Sequence, residues 1–283
     1  MNKQITVVKD IKEMSKLSDE IRKKGEVISF VPTMGYLHQG HISLINEGRK
    51  RGNKLVVSIY VNPTQFGPNE DLSRYPQDFE GDFKKCEDAS VDIIFYPDNS
   101  QMYPDGYKTY VNVEDLTENL CGASRPGHFK GVTTIVAKLF NIVKPHIAIF
   151  GEKDFQQLAV IRQMINDLNM NIEIVGMPIF REDDGLAMSS RNAYLSPEER
   201  KGALILYKTI GLVKELCNNG ENDASRILKQ AEIFIKLEPL AVIDYLKICD
   251  SESLKDVDKV GEETLFALAV KIGRTRLIDN YLF

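Results

Sequence analysis

Two hydrophobic periods alternate through the first two thirds of the chain. EVISFV (26–31), KLVVSIYV (54–61), VDIIFYP (91–97), HIAIFG (146–151) and IEIVGMPI (172–179) are short runs rich in β-branched and aromatic residues. Such runs read as strands, and the nearly continuous apolar character of KLVVSIYV is that of a parallel strand covered on both faces. Between them lie HISLINEGRKRG (41–52), QDFEGDFKKCEDAS (77–90), GVTTIVAKLFNIVK (131–144) and DFQQLAVIRQMINDLNM (154–170), which read as helices. In the third of these, Val132, Ile135, Val136, Leu139, Ile142 and Val143 fall at helical spacing. Strand and helix in alternation predict an α/β fold built on a doubly wound parallel sheet.

After about residue 180 the pattern changes. SPEERKGALILYKTIGLVKELCNNG has a serine cap and a proline in its first turn and reads as one helix. NDASRILKQAEIFIKLE reads as another, and LAVIDYLKICD and TLFALAVKIGRTRLID read as strand-forming. The expected organisation is therefore a domain at 1–179 and a smaller α+β C-terminal domain at 180–283. The second opens on the polar stretch REDDGLAMSSRNAYL.

Composition narrows the function classes. The 283 residues are 43% hydrophobic and 27% charged, ordinary globular values. A net charge of −5 gives no basic surplus of the kind a nucleic-acid binder shows, so an anionic ligand has to be held by a local cluster. Cys86, Cys121, Cys217 and Cys249 are scattered without a C-x-x-C pair, which suggests reduced thiols rather than a zinc or redox motif. The stretch MNKQITVVKDIKEM lacks the apolar core of a signal peptide, and no apolar run is of membrane-spanning length; a cytoplasmic protein with no membrane partner is expected.

Chemistry concentrates where strands meet helices. VPTMGYLHQGH (31–41) delivers Met34, Gly35, His38, Gly40 and His41 to the carboxyl end of a strand and the amino end of a helix. In an open α/β sheet that is where ligands bind. A helix amino terminus attracts phosphate, and imidazole donors there stabilise charge on phosphoryl oxygens. Two histidines three apart also fit a metal pair, but only His128 and His146 remain elsewhere in the chain. GEKD (151–154) repeats the strand-to-helix setting with Lys153 as a point charge, or is a solvated turn. AMSSRN (187–192) offers two hydroxyls and an arginine on a flexible loop, suited to clamping a polyphosphate, though such a triplet is common. Gln65 in VNPTQF (61–66) and Gln157 supply neutral amides for a hydroxyl or carboxylate. ASRPGHFKG (123–131) gathers Arg125, His128 and Lys130 just before a helix, as an entry loop or a further anion contact. Asp78 and Asp82, four apart on a helix, could reach a nucleotide-bound metal ion or form a solvated face.

With those residues assembled, the chain resembles the pantothenate synthetase (pantoate–β-alanine ligase) family over essentially its whole length. VPTMGYLHQGH is similar to that family's form of the HIGH signature of class I nucleotidyltransferases, and VNPTQF, GHFKGV, GEKDFQQL and GLAMSSRN resemble its further motifs in the same order. The resemblance implies a Rossmann-like fold, a homodimer, and pantothenate made from pantoate, β-alanine and ATP with release of AMP and pyrophosphate. ATP would lie along Met34, Gly35, Tyr36 and Leu37, then His38, Gln39, Gly40 and His41. Gly151, Glu152, Lys153 and Asp154 would complete its site with Met188, Ser189, Ser190 and Arg191. Among these, His38, His41, Lys153 and Arg191 would be catalytic. Gln65 and Gln157 would hold pantoate, Gln65 would also meet β-alanine, and Mg²⁺ would ride on ATP phosphates with no protein cage. Phe180 stands where the family often has a valine contacting the nucleotide. A backbone contact tolerates that change, whereas a side-chain contact would alter the adenine pocket. Residues 64–76 and 184–192 are the expected closing loops.

Overall fold

The computed structural model describes residues 5–68 and 70–283. The start of the expected first domain, residues 1–4, and Asn69 in the expected closing loop lie outside them. In chain order the elements begin with β1 (Thr6–Val8), α1 (Ile11–Lys23), β2 (Ile28–Thr33), α2 (Gln39–Arg51), β3 (Lys54–Ile59), α3 (Phe79–Asp88) and β4 (Ile93–Phe95). The short helices α4 (Asn99–Met102) and α5 (Leu120–Ser124) precede α6 (His128–Val143), β5 (Ile147–Gly151), α7 (Phe155–Asp167) and β6 (Glu173–Met177). Then come α8 (Pro197–Gly202), α9 (Ile205–Asn218), α10 (Ala224–Ile235) and the strands β7 (Ala241–Asp250), β8 (Thr264–Ile272) and β9 (Thr275–Leu282).

The chain forms two compact units. The first takes in the described residues up to Val113 together with Pro126–Glu152 and Val160–Pro178. It holds a six-stranded sheet in the order β1-β4-β3-β2-β5-β6, parallel throughout. This is the doubly wound architecture that the strand–helix alternation predicts, and the Rossmann-like fold that the resemblance implies. Helices α1 and α6 pack together, and α2 packs with α3 and against β2, β3 and β5. One apolar layer gathers Val31, Leu55, Val57 and Ile149 from the strands with Ile45 of α2 and Cys86 of α3. On β2 the alternate residue, Phe30, meets Phe140 of α6 edge-on. The chain leaves β2 for β3 on one side, while β5 pairs on the other, so the strand order reverses between β2 and β5. Ligands of open α/β sheets bind at the carboxyl ends of strands at such a reversal.

The second unit comprises Glu114–Arg125, Lys153–Ala159 and Ile179–Phe283. Its antiparallel sheet β7-β8-β9 is a meander whose β8 is almost fully buried. Phe266, Leu268 and Val270 of β8 form a core with Leu206, Ile210, Ile227 and Ile235 of α9 and α10. The smaller α+β fold is thus as expected, with two local differences. The single helix read from Ser196 onward is broken into α8 and α9 just after Gly202, glycine being the poorest helix former after proline. The run TLFALAVKIGRTRLID is a hairpin turning at Gly273, which takes φ 56°.

The pair β1–α1 adds to the expected elements, and its signals are present in the sequence. Asp10 caps α1 by accepting from Glu13 N at 2.9 Å, and Met14, Ser18 and Ile21 face inward at helical spacing. Between β2 and β5, His146 Nδ1 accepts from the Ile28 backbone N–H at 2.9 Å. Burial, with Arg22 nearby, holds this imidazole below its ordinary pKa of 6.5. The folded chain therefore keeps His146 neutral at pH values where the unfolded chain charges it. Below about 6.5 the unfolded state binds more protons, so stability falls with falling pH until the lowered folded pKa is reached. Urea midpoints measured from pH 7 to 5 are expected to drop for the native chain, and His146→Leu is expected to show a shallower drop. Parallel slopes would remove His146 as the cause.

Candidate active site

The turn after β2 is held by strand ends and by one carboxylate. Thr33 Oγ1 donates to Ser58 O at 2.7 Å and accepts from Gly35 N at 3.1 Å, tying the turn to β3. Gly35 and Tyr36 both adopt left-handed backbone, with φ 82° and 52°. For Tyr36 that conformation costs roughly 1–2 kcal/mol. A Cβ on Gly35 would stand 3.0 Å from both Asp82 Oδ2 and Ile59 Cγ2, so the position has neither the space nor the φ for a side chain. Asp82 of α3 accepts from Tyr36 N at 2.7 Å and from Leu37 N at 2.6 Å. It is only 1% exposed. Burial raises its pKa, while the two backbone N–H groups oppose that rise by stabilising the carboxylate.

This corrects the reading of Asp82 as part of a solvated face or a metal pair, whereas Asp78 is exposed. Asp78 caps α3 by accepting from Gly81 N at 3.0 Å, and both Asp82 oxygens are engaged by the turn.

Leu37 leads to His38, the extended N-cap residue of α2. The His38 backbone N–H donates to His41 Nδ1 at 3.2 Å, which places the proton of neutral His41 on Nε2. The two imidazoles lie 4.0 Å apart between centroids. The first turn of α2 contains no acidic residue, and its last turn carries Arg49, Lys50 and Arg51. The basic end complements the helix dipole, whose positive amino end lies at His38 and His41.

Gln65 is brought to the same turn within this unit. It ends the 3-10 turn Pro63–Gln65, its Nε2 meets Met34 Sδ at 3.3 Å, and its Oε1 accepts from Asn62 Nδ2 at 3.0 Å. Asn62, which sequence reading passed over, is 1% exposed and is the hub of this loop. Its Oδ1 accepts from Tyr103 Oη and from Thr64 Oγ1, both at 2.9 Å, and its Nδ2 also reaches Gly131 O at 3.2 Å. Gly131 is required by proximity, because a Cβ there would lie 2.3 Å from Thr64 O. The helix expected from residue 131 starts at His128, after Gly127 at φ 81°, so His128 and Lys130 belong to its first turn rather than to a loop. His128 Nδ1 pairs with Gln65 O at 2.8 Å, and Lys130 lies over the Tyr110 ring at 4.6 Å. Gly151 ends β5, the strand beside β2.

The remaining candidates lie in the second unit. Lys153 sits in the 3-10 turn Glu152–Asp154, with Nζ 3.2 Å from Asp154 Oδ2. Gln157 is half-buried on the first turn of α7, and among the described residues its amide makes no hydrogen bond within the protein. The neighbouring Gln156 is the structural amide. It accepts from Cys121 N at 2.9 Å and donates to Leu116 O and Asn119 O at 2.8 and 2.7 Å. Phe180 O accepts from Met188 N at 3.0 Å, and the Phe180 side chain is 42% exposed. Ser189 caps the 3-10 turn Ser190–Tyr194 by accepting from Arg191 N at 3.3 Å. Asn192 Nδ2 and Arg200 both bind Glu182, and Arg200 also holds Asp184 at 2.9 Å, lowering the pKa of that carboxyl. The loop of the MSSR segment is therefore anchored on both sides.

A parallel sheet with a helix starting in a glycine-bearing, histidine-rich turn at its reversal point defines a ligand-binding protein of the open α/β class. Comparison gives the family. The profile of the pantoate-beta-alanine ligases matches residues 6–282. Pantothenate synthetases of Syntrophus aciditrophicus and Acetivibrio thermocellus are each 57% identical to the chain, over 98% of its length and 97% and 98% of theirs. The crystal structure of pantothenate synthetase from Thermus thermophilus superposes with a TM-score of 0.93 at 42% identity, covering 98% of this chain and 99% of that one. The pantoate-beta-alanine ligase of Francisella tularensis, complexed with beta-gamma ATP and beta-alanine, gives 0.82 at 33% identity, covering 99% and 98%. The chain belongs to the pantoate–β-alanine ligase family.

The turn geometry makes a measurable demand on Asp82. Asp82→Asn replaces one acceptor oxygen by an NH₂ group facing a backbone N–H. Leaving a buried donor unsatisfied costs about 1–3 kcal/mol, so the urea midpoint is expected to fall accordingly. An unchanged midpoint would show that the turn does not need the carboxylate.

Proposed function

We propose that this chain condenses (R)-pantoate with β-alanine at the expense of ATP, giving pantothenate, AMP and pyrophosphate through pantoyl adenylate. The family match along the full chain supports the reaction. The observation that carries the chemistry is the His38–His41 pair at the start of α2, with His41 presenting Nε2–H as a donor.

In the first step a pantoate carboxylate oxygen attacks the α-phosphorus, the bond to the β-phosphate oxygen breaks, and pyrophosphate leaves. Such a transfer needs positioning and charge stabilisation more than covalent help. His41 donates from Nε2 to phosphate oxygens, and His38, Lys153 and Arg191 supply further donors as charge moves to the leaving group. Gln65 and Gln157 bind pantoate with neutral amides, which suits a small hydroxy acid, and Gln65 serves β-alanine as well. In the second step the β-alanine nitrogen attacks the acyl carbon, the C–N bond forms, AMP departs, and the amine gives up its proton.

Among the described residues no group of three or more His, Cys, Asp or Glu is placed to hold a metal ion. Mg²⁺ brought in with ATP would neutralise phosphate charge, beside the donors of His38, His41, Lys153 and Arg191. Phe180 is assigned to the nucleotide site, through its backbone or its side chain. Its exposed ring is not part of the hairpin contact, which uses its carbonyl oxygen. No helix of the described residues is long and apolar enough to cross a membrane. A cytoplasmic homodimer completes the proposal, and sedimentation reads the oligomeric part.

ATP–pyrophosphate exchange with Mg²⁺ and pantoate, without β-alanine, tests the reading. Exchange that depends on pantoate is expected. Exchange indifferent to pantoate, or absent from folded protein that binds ATP, would point to a different acceptor. His41→Ala is expected to lower exchange at least tenfold while leaving the fold intact, since losing one such donor typically costs roughly 3 kcal/mol. Near-native exchange in that variant would remove His41 from the chemistry.

A further inference from the structure

β9 carries two adjacent buried polar side chains, Asp279 and Asn280, at 2% and 7% exposure. Buried polar groups in a strand are costly unless they are satisfied, and both of these are satisfied by segments proposed to bind ATP. Asp279 takes the Arg181 guanidinium with both oxygens, at 2.7 and 2.9 Å. Arg181 also donates to Gly185 O at 3.0 Å and lies 4.9 Å over the Tyr207 ring. It opens the narrow hairpin closed by Met188 N on Phe180 O and by Glu182 N on Leu186 O, and that hairpin runs directly into Ser189–Arg191. One residue further along β9, Asn280 Nδ2 donates to Lys153 O at 2.9 Å. Asp279 Oδ1 also accepts from the Asn280 backbone N–H at 2.8 Å, which ties the Asp279 carboxylate to the strand at Asn280.

Lys153 lies in a 3-10 turn, a short element with poorer hydrogen-bond geometry than an α-helix. A donor from outside the turn sets the rotation of the Lys153 peptide, and with it the direction in which the lysine side chain leaves the backbone. A displacement of about 1 Å in a positioned catalytic group can cost on the order of a hundredfold in rate.

We infer that Asn280 is a positioning residue for Lys153, and that Asp279 and Asn280 together mount the Lys153 turn and the Ser189–Arg191 loop on one strand. The inference rests on the proposed role of Lys153 in binding ATP phosphates.

The test is a double-mutant cycle over the native chain, Asn280→Ala, Lys153→Ala and the double variant. Each is assayed for pantoate-dependent ATP–pyrophosphate exchange and titrated calorimetrically with ATP. Asn280→Ala alone is expected to lower exchange about tenfold or weaken ATP binding in proportion, as misplacement of a catalytic group does. Added to Lys153→Ala it is expected to cost less than about twofold, because residues acting through one another are not additive. An equal loss in both backgrounds, or no loss in the native background, overturns the inference. A merely structural asparagine would lower the thermal midpoint and leave the activity of the folded fraction unchanged in either background. Should Asn280→Ala fail to fold, Asn280→Asp keeps the shape, removes the donor and replaces it in the cycle. If the native chain exchanges without regard to pantoate, the functional reading fails, while the ATP titrations still decide the role of Asn280.

Discussion

The carboxylate of Asp82 is the constraint on which the first unit's ligand end depends. Two consecutive left-handed residues, Gly35 and Tyr36, turn the chain sharply enough to start α2 directly after β2. That conformation leaves the N–H groups of Tyr36 and Leu37 pointing away from any regular ladder, and Asp82 collects both. Such backbone concavities attract anions. Here the anion is the protein's own, so both N–H groups are satisfied before any ligand arrives, and α2 begins where the tilted rings of His38 and His41 lie 4.0 Å apart. Preorganised donors of this kind cost little reorganisation at the moment of reaction.

The same logic recurs around Asn62 and β9. In each case a buried side-chain carboxylate or amide substitutes for missing secondary structure. Asn62 joins Tyr103, Thr64 and Gly131 around the short turn bearing Gln65. Asp279 and Asn280 do this for two loops of the second unit. The side chains proposed to touch substrate thus stand on a layer of polar residues that touch only protein. Buried networks of this sort rigidify a structure when every member is satisfied.

The strands β2, β3 and β5 and the helices α2 and α6 were legible because each is specified by its own short pattern of apolar residues. The histidine turn, GEKD and the Ser-Ser-Arg loop were legible for a related reason: they occupy strand-to-helix junctions or the change in pattern near residue 180. Asp82 and Asn62 were not. Their meaning lies in partners 46 and 69 residues away, which no local period encodes. Gly131 was quoted within a motif, but its reason, a helix pressed against the Thr64 carbonyl, appears only in three dimensions. Arg125, His128 and Lys130 were legible as a basic cluster. That His128 would secure the Gln65 backbone and Lys130 would cover a tyrosine ring depended on where α6 begins. The break after Gly202 was visible as a glycine and was outweighed by the apolar pattern on either side.

The amino end of α2 has a consequence for encounter kinetics. The chain as a whole is acidic, while the groups the first unit offers to phosphate at this turn are a helix terminus and two imidazoles within a few ångströms. A field that local fades well inside the Debye length of about 8 Å at physiological ionic strength. Anionic substrates are therefore gripped on arrival and not drawn in from a distance. Adding salt screens the long-range repulsion of the acidic chain first, so the grip of this helix terminus tolerates changes in ionic strength.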